Sequence, residues 1–200
     1  MARQPILNRA KQLYGYELLF RSGPNQAFAD LACEGATQSV LDLSLVLGAG
    51  SFTDGYRAFI NCTRMHLSSG VLRMLPKDMV VLEILEDVPA DEEVLSECRK
   101  LKAEGYTLAV DDIISTTDRI ELISLADIIK VDFMLADETQ QKEITLRFAR
   151  SGVQLLAEKI ETHEQFEAAL KMGYTLFQGY FFCRPETLRA TALPSAIWDI

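Results

Sequence analysis

Short apolar runs separated by stretches of helical periodicity recur along the whole chain, and this alternation constrains the fold more than any other feature. The runs fall at residues 4–7, 13–20, 57–62, 79–85, 106–110, 127–131, 153–157 and 174–177. Most are apolar at nearly every position, the pattern of a strand covered on both faces. Helical patterns lie between them at 36–47, 90–103, 117–125, 138–150 and 162–171. Two of these have clear ends. After Pro89, Asp91, Glu92 and Glu93 precede Val94, Cys98 and Leu101; Arg99, Lys100 and Lys102 follow, and Gly105 stops the helix. That charge order suits the helix dipole. Thr162 and Gln165 have the spacing of a capping box ahead of Phe166, Ala169 and Leu170.

Repeated strand–helix alternation builds a parallel sheet. A Gly-rich loop after the first strand would favour an open nucleotide-binding sheet, and none is present. The number of strands favours a closed (β/α)₈ barrel of the TIM type, and 200 residues lies at the bottom of the barrel range of roughly 200 to 400. No linker or low-complexity tract divides the chain, so residues 1–200 are expected to form one shortened α/β barrel domain.

Composition removes several partners. The net charge of −9 gives no general electrostatic footprint for DNA or RNA. No apolar stretch is long enough to span a membrane. The four cysteines, Cys33, Cys62, Cys98 and Cys183, form neither a CxxC pair nor a zinc pattern. Free thiols in a reducing cytoplasm are expected. His66 and His163 are expected on exposed helix faces.

The acids are not scattered. The ends of successive strands read Glu17, Asn61, Glu83, Asp111 with Asp112, Lys130, Glu158 and Gln178, each in an otherwise apolar segment. Any one of these is an ordinary strand-end polar group. In a barrel, however, all of these ends converge on one face. Converging carboxylates repel each other and raise one another's pKa values, and a divalent cation removes that penalty. An all-oxygen donor set without His or Cys selects Mg²⁺, Mn²⁺ or Ca²⁺ over Zn²⁺. Such a site suits metal-assisted phosphoester hydrolysis. A glycosidase would need only two of the carboxylates. A Schiff-base role for Lys130 is disfavoured because the acids around it would keep it protonated.

The segments YGYELLFR, FINCT, LEILE, AVDD, IKVD, AEKIE and QGYFFCRP, in this order from Arg3 to Pro185, resemble the signature blocks of EAL domains, bacterial phosphodiesterases that linearise cyclic di-GMP. The opening is similar to the EAL-like module that precedes HDOD domains in signalling proteins. The resemblance implies a barrel with an irregular first strand that binds cyclic di-GMP on the strand-end face. It implies a Mg²⁺ or Mn²⁺ centre, with room for two metals, held by Glu17, Asn61, Glu83, Asp111, Asp112 and Glu158. By the same resemblance Lys130 positions the attacking water, and Glu17, Glu83 and Glu158 share the catalytic centre. Arg21, Gln178 and Asp112 lie at the substrate, and Glu86 and Glu161 support loops and the lysine. The implied partners are a second copy of the chain or an HDOD or other signalling domain.

Two departures keep a second reading open. Asp111-Asp112 is followed by Ile113–Thr117 where the family has Phe-Gly-Thr-Gly, and Lys159 stands in place of a usual glycine. The alternative is a non-catalytic domain serving as cyclic di-GMP receptor or protein-interaction module.

Overall fold

A computed structural model of the chain describes residues 2–19, 53–117, 119–148 and 151–187. The expected helix at 36–47, Arg21, Cys33 and the chain end beyond 187 lie outside the described residues. The strands are β1 (Ala2–Asn8), β2 (Leu13–Leu19), β3 (Arg57–Cys62), β4 (Val80–Ile84), β5 (Thr107–Val110), β6 (Ile128–Asp132), β7 (Gln154–Glu158), β8 (Leu176–Phe177) and β9 (Glu186–Thr187). The helices are α1 (Arg64–Ser69), α2 (Glu92–Ala103), α3 (Ile120–Ile123), α4 (Glu138–Phe148) and α5 (His163–Met172).

Strands β2 to β8 run parallel in chain order, and β1 pairs antiparallel with both β2 and β8. The sheet therefore closes into an eight-strand barrel, with β9 added beside β1. The antiparallel β1 follows from its connection. The turn at 9–12 is only long enough for a hairpin, whereas a parallel neighbour needs a crossover of a dozen or more residues. The Asn8 side chain closes this turn by accepting the Ala10 and Gln12 N–H groups.

Period-two alternation along the strands divides the core. Ile6, Phe59, Val81, Ala109, Ile128, Leu156 and Leu176 form one fully buried apolar layer inside the barrel, with Tyr14 packed against it. The intervening residues, among them Ile60, Leu82, Ile84, Leu108, Val110, Ile129, Val131, Leu155 and Ala157, pack outward against the helices. This is why the runs are apolar at nearly every position: both faces are covered.

The expected helix ends are met closely at α2 and α5. Asp91 caps α2 by accepting the Val94 N–H, and Val94, Leu95, Cys98 and Leu101 are buried. At α5 both halves of the Thr162–Gln165 capping box are present, and Gly173 ends the helix at φ +105°. Elsewhere the expectations need correction. The helix expected at 117–125 shrinks to one turn, because Arg119 at φ +49° cannot continue a right-handed helix upstream. His66 is not a free surface residue. It does lie on a helix, at the third position of α1, but half-buried, and its Nδ1 accepts the Thr63 N–H in a second capping box.

Candidate functional site

The polar layer sits two residues beyond the apolar one on the same strand faces. Asn61 follows Phe59, Glu83 follows Val81, Asp111 follows Ala109, Lys130 follows Ile128, Glu158 follows Leu156 and Gln178 follows Leu176. In a strand, positions i and i+2 share a face, so an interior Phe or Val commits the next alternate residue to the barrel mouth. Register sets the neighbours: Asn61 pairs with Glu83, whereas Glu83 lies opposite Ala109 and Lys130 opposite Leu156 of the apolar layer, so the polar groups are staggered around the mouth. Strand β1 contributes from the opposite direction, since Gln4 lies opposite Glu17.

Lys130 is the centre of this layer. Its side chain is 1% exposed and its ammonium pairs with Glu83, Asp111 and Glu158, at 3.0 Å from Asp111 Oδ1 and 2.9 Å from Glu158 Oε1. Burial alone would lower the Lys130 pKa, but Asp111, Glu158, Glu17 and Glu83 overcome it and hold the ammonium well above its ordinary range. Burial raises Glu83 and Glu158 well above the ordinary carboxylate value, reinforced by repulsion from neighbouring carboxylates and opposed by Lys130. Asp111 is also buried, yet the Lys130 ammonium outweighs burial and holds it low. Asp112 is raised by burial and by Asp111.

Glu17 lies across the mouth from this group. Gln178 Nε2 donates to Glu17 Oε2 at 2.6 Å and to Gln4 Oε1 at 3.1 Å. Gln4 in turn donates to the Cys183 carbonyl at 3.2 Å. Glu86, Asp111 and Asp112 form a second group, each offering a carboxylate oxygen within 4.8 Å of the others. Glu86 was expected to support loops, and the structure places it beside the acidic pair. Glu161 is exposed and its backbone N–H donates to Gln165 Oε1. The carboxylates against Lys130 are those of Glu83, Asp111 and Glu158. Arg21 lies outside the described residues.

The donor chemistry fits a hard divalent cation. Asn61 Oδ1, Glu83 Oε2, Glu158 Oε2 and Gln178 Oε1 are buried with no hydrogen-bond donor. An unsatisfied buried acceptor costs about 1–3 kcal/mol, more if charged, and oxygens left without donors are what a Mg²⁺, Mn²⁺ or Ca²⁺ ion satisfies.

Three residues around the site were not singled out in the sequence. Asp132 is fully buried two positions beyond Lys130. Its Oδ1 accepts the Met134 and Leu135 N–H groups, and its Oδ2 pairs with Lys159. Its parity with Lys130 was a usable signal. Gln4 was also visible, as a polar residue on the interior face of an apolar strand. Arg119 carried no signal: it donates to the Leu85 carbonyl at 2.7 Å and the Asp111 carbonyl at 3.4 Å, tying the ends of β4 and β5 together beneath the acidic pair. Burial lowers its pKa.

Comparison with known proteins agrees with this geometry. The family model described as the EAL domain matches residues 25–185. Uncharacterized protein YuxH of Bacillus subtilis (strain 168) is 35% identical over 194 residues, covering 94% of this chain and 47% of that protein. Cyclic di-GMP phosphodiesterase CdgJ of Vibrio cholerae serotype O1 is 34% identical over 193 residues, covering 94% of this chain and 45% of that protein. The chain thus spans about half the length of these curated relatives. Among solved structures, a standalone versatile EAL protein from Vibrio cholerae O395 in its c-di-GMP bound form superposes with a TM-score of 0.69 at 25% identity, covering 94% of this chain and 92% of that one. The Bacillus subtilis YkuI protein, with an EAL domain, in complex with c-di-GMP and calcium, superposes with a TM-score of 0.76 at 24% identity, covering 94% of this chain and 56% of that one. With the matched region spanning most of a closed barrel whose mouth carries the acidic layer, this chain belongs to the EAL domain family.

Proposed function

We propose that this chain binds cyclic di-GMP at the C-terminal face of the barrel and hydrolyses one of its two phosphodiesters to give linear pGpG. The observation that carries the reading is the set of buried, donor-less oxygens at the barrel mouth around Lys130. Glu17, Asn61, Glu83, Asp111, Asp112 and Glu158 would hold Mg²⁺ or Mn²⁺, which supplies Lewis-acid stabilisation of the phosphate and a lowered pKa for a bound water. The protein's own groups do the rest. Lys130 stays protonated at working pH and donates only, so it orients a water for attack and does not itself take the proton. Gln178 fixes the Glu17 carboxylate through its 2.6 Å hydrogen bond. The buried layer below the ring keeps bulk water from the site and strengthens each electrostatic contact. Water adds to phosphorus, the P–O bond to one ribose 3′ oxygen breaks, and that oxygen leaves as a hydroxyl. The known ligand of the two structural relatives and the activity in the name of the CdgJ relative support the substrate.

The reading includes Arg21 as a substrate phosphate contact and a cytoplasmic location. The unpaired thiols Cys62, Cys98 and Cys183 support the latter. Among the described residues no helix is long and apolar enough to cross a membrane. A second copy of the chain or an HDOD or other signalling domain is the proposed partner. A second reading, binding without turnover, is favoured by the stretch after Asp112, which keeps none of the family's glycines. Purified protein is incubated with cyclic di-GMP in Mg²⁺ and in Mn²⁺, and pGpG is followed by chromatography. Turnover lost in Glu17→Ala supports the enzyme. Calorimetric binding without turnover supports the receptor, and absence of binding overturns both.

A further inference from the structure

Lys159 follows Glu158 at the mouth end of β7 and has φ +54°, the left-handed region that lysine rarely occupies and glycine enters freely. The side chain that accepts this conformation is directed back into the acidic face. Its ammonium pairs with Asp132 Oδ2 and lies 3.7 Å from Asp112 Oδ1. Asp132 is fully buried, and both of its oxygens are committed, one to two backbone N–H groups and one to Lys159. Asp112, itself at φ +47°, neighbours both the Glu86–Asp111 group and the ammonium. One positive charge therefore already lies between Asp112 and Asp132. A divalent cation seated on that side of Asp112 would meet an ammonium at short range. On the other side of the mouth, Lys130 takes Oε1 of Glu83 and of Glu158 but leaves Oε2 of each, and Asn61 Oδ1, with no donor.

The neighbouring carboxylates keep this group charged. Burial alone would lower the Lys159 pKa, but its bond to Asp132 and the charge of Asp112 hold it above the ordinary ammonium range.

We propose that the Lys159 ammonium, held between Asp112 and Asp132, takes the place of a second divalent cation, so that this chain loads one metal ion and not two. The inference rests on the metal-binding reading above, and its test does not depend on turnover. The full chain, stripped with EDTA and exchanged into metal-free buffer, is titrated with Mn²⁺ and followed by calorimetry and electron paramagnetic resonance. One ion per chain is expected, with no spin coupling between ions. Lys159→Gly suits the left-handed backbone, and Lys159→Met keeps the apolar stem without the charge. Both are expected to bind a second ion at least 100-fold more tightly than the wild type, with the broadened spectrum of a coupled pair. Lys159→Arg retains a cation and is expected to remain at one. Two ions on the wild type, or one on both the Gly and Met variants, overturns the proposal while leaving the metal-binding reading intact. No Mn²⁺ on the wild type overturns both.

Discussion

Replacing Lys130 by Met tests whether the buried ammonium holds the acidic layer together. Met preserves most of the volume and removes the charge that pairs with Glu83, Asp111 and Glu158. At about 3 Å and an effective dielectric near 20, each such pair contributes about 5 kcal/mol of Coulomb energy. Most of that is offset by the desolvation the ammonium no longer suffers, and breaking a buried charge cluster typically costs about 3–5 kcal/mol. The carboxylates respond by taking up a proton. Glu83 and Glu158 already lie above the ordinary value in the wild type, and without Lys130 they rise further. A group whose pKa is raised on folding favours the native state at low pH and loses that contribution as pH rises towards its folded value. The deficit of Lys130→Met is therefore largest at pH 8 and shrinks on acidification, by about 1.4 kcal/mol per pH unit for one extra bound proton. Urea unfolding in EDTA at pH 8, 7 and 6 reads this directly: about 3–5 kcal/mol at pH 8, falling by roughly 2.7 kcal/mol at pH 6. Saturating Mn²⁺ at pH 8 should recover about 2–3 kcal/mol, more than it adds to the wild type, whose ammonium competes for the same oxygens. A deficit below about 1 kcal/mol, or one independent of pH, would refute the electrostatic account of the layer.

Other changes test its surroundings. Gly179 has φ +152°, and a Cβ there would lie 2.1 Å from the Ile160 carbonyl oxygen and 2.3 Å from the Ile160 nitrogen. Gly179→Ala should lower stability by at least about 2 kcal/mol by urea unfolding and weaken cyclic di-GMP binding, since Gln178 and Lys159 flank the two backbones forced apart. Arg119→Ala should lower Mn²⁺ affinity by about tenfold in calorimetry, because the carbonyl of Asp111 loses a donor and the ends of β4 and β5 loosen. An unchanged affinity would make Arg119 a packing residue only. Thr162→Ala, remote from the chemistry, should cost about 1 kcal/mol through its lost helix cap and leave metal affinity unaltered.

What could be read along the chain was whatever depends on local pattern. The eight apolar runs became the eight barrel strands with ends shifted by at most two residues, which leaves only Leu176–Phe177 as strand in the last. Their near-continuous hydrophobicity reflects burial on both faces, a property each run carries by itself. The site was legible for the same reason. A polar residue two positions beyond an interior Phe, Val, Ala, Ile or Leu must point the same way, so Asn61, Glu83, Asp111, Lys130, Glu158 and Gln178 announce one ring once the sheet is closed.

What the sequence could not decide was which groups meet, because that depends on closure and register. The ends of β1 and β8 are brought together only in the closed barrel, and only there does Gln178 reach Glu17 and Gln4, more than 150 residues away in the chain. The turn of Arg119 to +49° and its reach to two strand-end carbonyls have no local signature. The same holds for Lys159: as a letter it is a departure at a glycine position, and only in three dimensions does it become a cation between Asp112 and Asp132. The sequence alone determined which residues face the barrel mouth, because strand periodicity is local. Their partners and the resulting charge states were decided by the tertiary structure, because electrostatic contacts depend on distance across strands and not on spacing along the chain.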